Sequence, residues 1–365
     1  MSNSPAFKSG RINQLALENR LVVAPMTRIS ASKTGVPGER MQRYYTRFAK
    51  GGFGAVITEG IYIDDEWSQT YDCEAGLIND EQVQGWRTIT ESLHMNGSKV
   101  IAQIQHSGAL SQGNIYRSHT VAPSAIQPKG KQLEFYHGKG DYKVPLELSE
   151  DNIQDIICSF AVAASRAVNE AGFDGVEIHG ANGYLLDQFF TDYTNQRGDH
   201  WGGDIASRLS LILEVIHAVR QSVGPSAVVG VRISQAKVND FHHKWKEGKD
   251  GAEKVFSLLA ISGVDYVHIT EYEAWRPAFE DSPYSLVEIA RNVAPKLIII
   301  ANGGTDDAEK ADKVLKLGAD YIAIGKSALA NPDWPERVKS SKTLREFDSG
   351  ILAPFADVKE SELAQ

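Results

Sequence analysis

Three side chains in the stretch 175–186 carry complementary chemistry: the imidazole of His179, the amide of Asn182 and the phenol of Tyr184. His179 and Asn182 can both donate hydrogen bonds to a single oxygen atom. Tyr184, with an ordinary pKa of about 10, keeps its proton at neutral pH and can donate it. Two donors on an oxygen beside a proton source suit the reduction of an activated carbon–carbon double bond. Read alone, the His179–Asn182 pair serves equally well to satisfy the polar groups of a loop.

The element that must position these groups is a short β-branched run, Val176 to Ile178, preceded by Gly172-Phe173-Asp174 and broken at Gly180 and Gly183. That pattern predicts a buried strand followed by a turn. In a parallel α/β barrel, residues just past the carboxyl end of a strand line the active site. The rest of the chain repeats the unit. Apolar strands are expected at 21–26, 55–58, 100–104, 227–233, 264–269, 297–300 and 321–324. Helices are expected at 39–50, 81–95, 151–171, 205–223, 251–262, 286–293 and 308–317, with Ser149 as an N-cap and Gly97 as a C-terminal stop. Eight strands alternating with helices predict an α/β fold, a single (β/α)8 TIM barrel over 1–365. A doubly wound sheet is the alternative; the strand count and the polar residues recurring at strand ends favour the barrel. Residues 1–20 read as a polar lead-in, a small hairpin over one end of the barrel. Residues 107–148 break the rhythm after the third strand and read as a lid-like insertion or cap.

Composition narrows the function. The chain has 365 residues, 42% hydrophobic and 23% charged, with a net charge of −9. That balance is globular, and it disfavours nucleic acid and anionic membrane as partners, since both need a basic face. The two cysteines, Cys73 and Cys158, make neither a disulfide framework nor a metal motif, so no metal is expected. His242-His243, in a lysine-rich segment, reads as exposed loop. The start lacks the apolar core of a signal peptide, and no run is long enough to span a bilayer, so a cytoplasmic location is the default expectation. Asn96-Gly97-Ser98 matches a glycosylation sequon but has no secretory context. Assembly into a homo-oligomer is left open.

Polar or glycine-rich groups close the other strands: Ala24-Pro25-Met26-Thr27, Thr58-Glu59-Gly60, Gln103 with His106, Arg232, Asn302-Gly303-Gly304-Thr305 and Gly325-Lys326-Ser327. The loops after strands seven and eight form the usual barrel phosphate site, where glycine lets backbone N–H groups approach an anion. Gly325-Lys326-Ser327 resembles the tail of a P-loop, but Gly318 stands two residues too far upstream for that motif. No Gly-x-Gly-x-x-Gly is present, which argues against a separate dinucleotide domain.

Taken in order, several segments resemble the Old Yellow Enzyme family of FMN-dependent ene-reductases. They are 19–28, Gln103, 175–190, Asn195-Gln196-Arg197-Gly198-Asp199-His200-Trp201-Gly202-Gly203, 230–232, 318–326 and 331–334. The matches span almost the whole chain; 107–148, 270–284 and the C-terminal tail match little. The resemblance implies FMN as cofactor, NAD(P)H as electron donor and a small-molecule substrate. It implies that Arg232 and Gln103 meet the flavin's pyrimidine edge, that the Thr27 hydroxyl meets its O4 edge, and that Ala24, Pro25 and Gly60 line the ring with Met26 packed beside them. Gly303, Gly304, Gly325 and Lys326 would hold the phosphate. His179 and Asn182 would clamp a carbonyl or nitro oxygen. Tyr184 would protonate one alkene carbon while flavin N5 delivers hydride to the other. Asn195, Arg197 and Asp199 would staple the loop after strand four.

Two positions depart from the common pattern. Asn182 stands where many members have a second histidine, and its amide still donates. Lys326 stands for the usual arginine and offers a point charge instead of a planar fork. Trp275 and Tyr272, in the loop after strand six, are expected to wall the substrate pocket, an ordinary aromatic pair being the alternative. Other readings are a flavin barrel of the dihydroorotate dehydrogenase type, whose nucleophile-loop pattern is not visible, and an FMN-binding protein without enzymatic activity, which would have no use for a proton donor. The larger dienoyl-CoA reductase relatives need an iron–sulfur cysteine cluster and a second nucleotide domain, both absent from this sequence.

Overall fold

The computed structural model describes residues 4–364. Eight parallel strands close into a barrel: β1 (Leu21–Val23), β2 (Ala55–Tyr62), β3 (Lys99–Gln105), β4 (Gly175–Asn182), β5 (Val228–Lys237), β6 (Tyr266–Thr270), β7 (Ile298–Asn302) and β8 (Tyr321–Ile324). Around them run α1 (Glu39–Lys50), α2 (Asp80–Met95), α3 (Glu150–Ser165), α4 (Ser210–Val223), α5 (Gly248–Ala260), α6 (Leu286–Val293), α7 (Ala308–Lys316) and α8 (Trp334–Lys339). The (β/α)8 expectation holds. Ser149 caps α3 by accepting from the Asn152 N–H at 3.2 Å, and Gly97, with φ +80°, ends α2. The helix expected over 151–171 instead closes with a π-helical turn, Arg166–Glu170.

Side-chain alternation sorts the strands into two cores. Val176 and Ile178 on β4, Val229 and Val231 on β5, and Val267 and Ile269 on β6 join Phe48, Trp86, Phe160 and Phe256 in the layer between sheet and helices. Each such buried side chain contributes roughly 1.5–3 kcal/mol. The intervening positions point inward. At the amino-terminal end of the barrel, Val22, Ala55, Ile57, Ile101, Val228, Tyr266, Ile300 and Tyr321 pack with Ile12 and Leu17. Those last two come from an antiparallel hairpin, Gly10–Ile12 with Leu15–Leu17. Apolar packing thus plugs one end, and polar inward residues are left for the other.

β4 does not stop at Gly180. It continues to Asn182, because the ladder to β5 slips between Gly180 and Asn182 at a bulge. A bulge re-aims the side chains that follow it. Residues 107–148 hold a short parallel pair, Val121–Ala122 with Leu146–Glu147, and two 3-10 turns.

Candidate active site

Inward residues of β3 to β6 meet around one carboxylate. Glu177, fully buried, accepts from Gln103 Nε2 at 2.7 Å and the Tyr266 hydroxyl at 2.9 Å, and its Oε2 lies 2.9 Å from His268 Nδ1. Burial alone would raise its pKa, but His268, Arg232 and these hydrogen bonds hold it below the usual carboxylate range. Strand register sets Arg232 beside both His179 and His268. The Arg232 guanidinium donates to Thr270 Oγ1 and Asn302 Oδ1, each at 3.2 Å, and its Nε has no protein partner. Burial lowers the pKa of Arg232 and Glu177 opposes the shift; a guanidinium stays charged regardless.

His179 sits 3% exposed on β4. Burial, and then the nearby Arg232 and His268, push its pKa well below the ordinary imidazole value, so the ring is neutral. Its Nδ1 accepts the Ala181 N–H at 3.4 Å, an arrangement that leaves Nε2 to carry the ring proton. The edge of the Tyr184 ring meets it at a centroid distance of 5.0 Å. The Tyr184 hydroxyl lies 2.7 Å from that of Tyr71, and its ring packs with Leu110 and Tyr142. Burial pushes the Tyr184 pKa up while its hydrogen bond with Tyr71 pulls it down; the balance keeps the phenol protonated. Asn182 follows at the bulge with φ +63°, a left-handed conformation that asparagine tolerates better than most residues.

Beside this cluster opens a cavity of about 790 Å³, within the usual range of about 300–1,000 Å³ for cofactor sites. Ala24, Pro25, Met26, Arg232, Gly303, Gly304, Gly325, Lys326 and Trp275 all line it. Gly303 and Gly304 have φ +130° and +67°, open only to glycine without strain, and a Cβ on Gly304 would strike the Trp275 ring at 2.7 Å. Trp275 stands over the glycine loop, with Lys310 and Lys313 near its ring, where the β6–α6 loop folds against the β7–α7 loop. Tyr272 lines the same cavity but is 85% exposed.

Thr27, Gly60 and Gln103 do not line that cavity. Thr27 follows Met26, and its carbonyl accepts the Tyr136 hydroxyl at 3.1 Å. Gly60 is the ladder partner of Gln103, and a Cβ there would fall 2.2 Å from Gln105 Oε1. Gln103 has one amide N–H committed to Glu177. Asn195, Arg197 and Asp199 form the expected staple: Asn195 donates to the carbonyls of Phe189 and Trp201, and Arg197 pairs with Asp199 at 2.5 Å.

Several residues of the cluster escape sequence reasoning. Tyr71 comes from the loop after β2, and its ring stacks on Tyr136 with centroids 4.2 Å apart. Tyr136 and Tyr142 come from 107–148, where no periodic pattern guides assignment. Thr270 ends β6, and the polar strand-end signal that marks Asn302 on β7 would also have found it.

Can these residues hold a flavin? The cavity offers one buried cation with a free N–H, a two-glycine cradle and a lysine at a helix start, which together match a polar ring edge and a phosphate. A Cβ on Gly325 would make ordinary van der Waals contacts with Met26 Sδ at 3.7 Å and Ala24 Cβ at 3.8 Å. The donor set fits FMN. Among the described residues there is no group of three or more His, Cys, Asp or Glu placed to hold a metal, and no helix is long and apolar enough to cross a membrane.

Comparison with known proteins gives a consistent answer. Residues 6–345 match the NADH:flavin oxidoreductase / NADH oxidase family. The chain is 31% identical to an NADH oxidase of Thermoanaerobacter brockii over 92% of its own length but only 51% of that protein's. It therefore spans about half of that longer relative. It is also 31% identical to flavin oxidoreductase hxnT of Emericella nidulans, over 94% of this chain and 92% of that one. Among solved structures, the old yellow enzyme homologue from Zymomonas mobilis superposes with a TM-score of 0.87 at 29% identity, covering 99% of this chain and 98% of that one. The chain thus belongs to the NADH:flavin oxidoreductase / NADH oxidase family, that of Old Yellow Enzyme, and is an FMN-dependent oxidoreductase using NAD(P)H.

Proposed function

We propose that the protein reduces activated carbon–carbon double bonds, of α,β-unsaturated carbonyls and nitro-olefins, at the expense of NAD(P)H. One observation carries this reading: the buried His179, its Nδ1 taken by the Ala181 N–H, the Asn182 turn and the buried Tyr184 stand together, and strand register sets His179 beside Arg232 of the cavity. Bound FMN supplies the hydride. Arg232 and Gln103 hold the ring's pyrimidine edge, and the fixed Arg232 charge favours negative charge there. Ala24, Pro25 and Met26 would line the ring, and Gly60 and Thr27, outside the cavity as it stands, would have to reach it from β2 and from the segment after Met26. Gly303, Gly304, Gly325 and Lys326 take the phosphate, with Trp275 shielding that end.

His179 Nε2–H and the Asn182 amide hold the substrate oxygen and draw electron density from the alkene. Tyr184 gives its proton to the carbon adjacent to the activating group. A hydrogen bond donated by the Tyr71 hydroxyl to Tyr184 would stabilise the charge left behind. Segment 107–148 caps the site, its Leu110, Tyr136 and Tyr142 excluding water. Anaerobic incubation with NAD(P)H and 2-cyclohexenone tests the reading. The saturated ketone should appear in step with NAD(P)H consumed. NAD(P)H oxidised only in air, with no saturated ketone, would reject it.

Two further outcomes follow from the geometry. Lys326 is exposed and begins the short helix Lys326–Ala330. Lys326→Ala should weaken FMN retention by about 1–2 kcal/mol, the loss of one charge-assisted hydrogen bond tempered by exposure. Titration of apoprotein with FMN measures this, and unchanged affinity removes Lys326 from the site. The second outcome concerns pH. An ordinary histidine would gain a proton as pH falls through about 6.5 and tighten its grip on an anion. Because the His179 pKa is depressed, phenolate affinity, corrected for the ligand's own ionisation, should stay flat from about pH 5.5 to 8. Tightening with a midpoint near the ordinary histidine value would show that His179 titrates normally.

A further inference from the structure

The turn that delivers Asn182 and Tyr184 has two consecutive residues with positive φ, Asn182 at +63° and Gly183 at +89°. A non-glycine residue there is strained and persists only where its surroundings hold it. Four hydrogen bonds do so. The Asn182 N–H donates to Ser234 Oγ at 2.8 Å, and the Val238 N–H donates to the Asn182 carbonyl at 3.0 Å. Gln188 Nε2 donates to the Gly183 carbonyl at 2.7 Å, and the Gly183 N–H donates to Asp187 Oδ2 at 2.6 Å. The first three join neutral groups. The fourth acceptor is a carboxylate with 0% exposure.

Such a group needs a countercharge. Lys237, 2% exposed, places its Nζ 2.6 and 2.8 Å from the two Asp187 oxygens. Lys237 is the last residue of β5 and the ladder partner of Asn182. Its Cβ also lies 3.2 Å from where a Gly183 Cβ would stand. One residue therefore backs the turn from behind and supplies the charge that its N–H acceptor requires. A buried ion pair is often replaceable by apolar groups at no cost in stability.

We propose that Asp187, neutralised by Lys237, is a positioning residue: by accepting the Gly183 N–H it locks the left-handed Asn182-Gly183 turn and so sets the approach of the Asn182 amide and the Tyr184 hydroxyl to the substrate. The inference rests on the reading of Asn182 as half of an oxygen clamp. Neither Lys237 nor Asp187 lines the Arg232 cavity.

Two double variants of the FMN-loaded enzyme separate positioning from mere stability. D187N/K237M removes both charges and keeps an amide oxygen for the Gly183 N–H. D187L/K237M also removes the charges, keeps similar bulk and takes the acceptor away. With no unpaired buried charge, both should fold and retain FMN. The probe is 4-hydroxybenzaldehyde, followed by its long-wavelength charge-transfer band. D187N/K237M should bind within about threefold of wild type, and D187L/K237M about 10–100-fold more weakly, at equal FMN content, with a melting temperature lower by only a few degrees for the lost acceptor. Equal affinities in the two variants, both native or both weak, overturn the proposal. A wild-type enzyme with no such band would remove the clamp itself, a failure visible before any variant is made.

Discussion

Tyr184→Phe should recolour about 10²–10⁴-fold more slowly with an enone while bleaching at a near-normal rate with NAD(P)H, the loss typical of removing a general acid. The substitution keeps the ring that packs against Leu110, Tyr142 and His179 and deletes only the hydroxyl. Tyr71 loses its partner at 2.7 Å, which costs about 1 kcal/mol, too little to unfold the domain. Burial keeps the Tyr184 proton in place at every working pH, so the wild-type rate should show no titration from this group. Only alkene reduction consumes that proton. Nitro-olefins should suffer less than enones, because a nitronate is stable enough to leave without it. Stopped-flow absorbance separates the two halves of the cycle. A variant that bleaches slowly and recolours normally would mean that the proton comes from elsewhere.

His179→Ala should weaken binding of 4-hydroxybenzaldehyde about 10–100-fold and abolish its charge-transfer band, since a hydrogen bond to an anionic oxygen contributes roughly 1.5–3 kcal/mol. The imidazole is neutral with its proton on Nε2, so the loss is that of one donor and not of a charge. Its neighbour Arg232 remains bonded to Thr270 and Asn302, and FMN retention should therefore be close to wild type. Spectrophotometric titration at constant FMN content decides the matter. Full phenol affinity in the variant would place the anion away from β4.

Much of this architecture is legible in the sequence because it is local. The alternation in 175–179 alone sends Val176 and Ile178 outward and Glu177 and His179 inward, and the same rule orients Arg232 and Gln103. Ser149 and Gly97 mark helix ends by backbone chemistry that needs no partner from afar. Other features depend on distant segments. Gly180 reads as a breaker, yet it lies within β4, where a Cβ would stand 3.0 Å from the Arg232 carbonyl; packing, not turn chemistry, selects glycine there. Tyr71 meets Tyr184 across 113 residues, and nothing local announces the pair. Arg28 stands in a recognisable motif, but its bidentate partner Glu362, with contacts of 2.6 and 2.5 Å, comes from the C-terminal tail. Trp275 shows the same limit: an aromatic residue in a loop can be located only once two loops are docked.

Anaerobic titration of the purified holoenzyme tests most directly whether one site exchanges electrons between NAD(P)H and an alkene. The yellow protein should lose its visible absorbance with one equivalent of NAD(P)H per flavin and regain it with one equivalent of 2-cyclohexenone. A protein that bleaches but is not recoloured by the enone, or that stays yellow under NAD(P)H, would contradict the account.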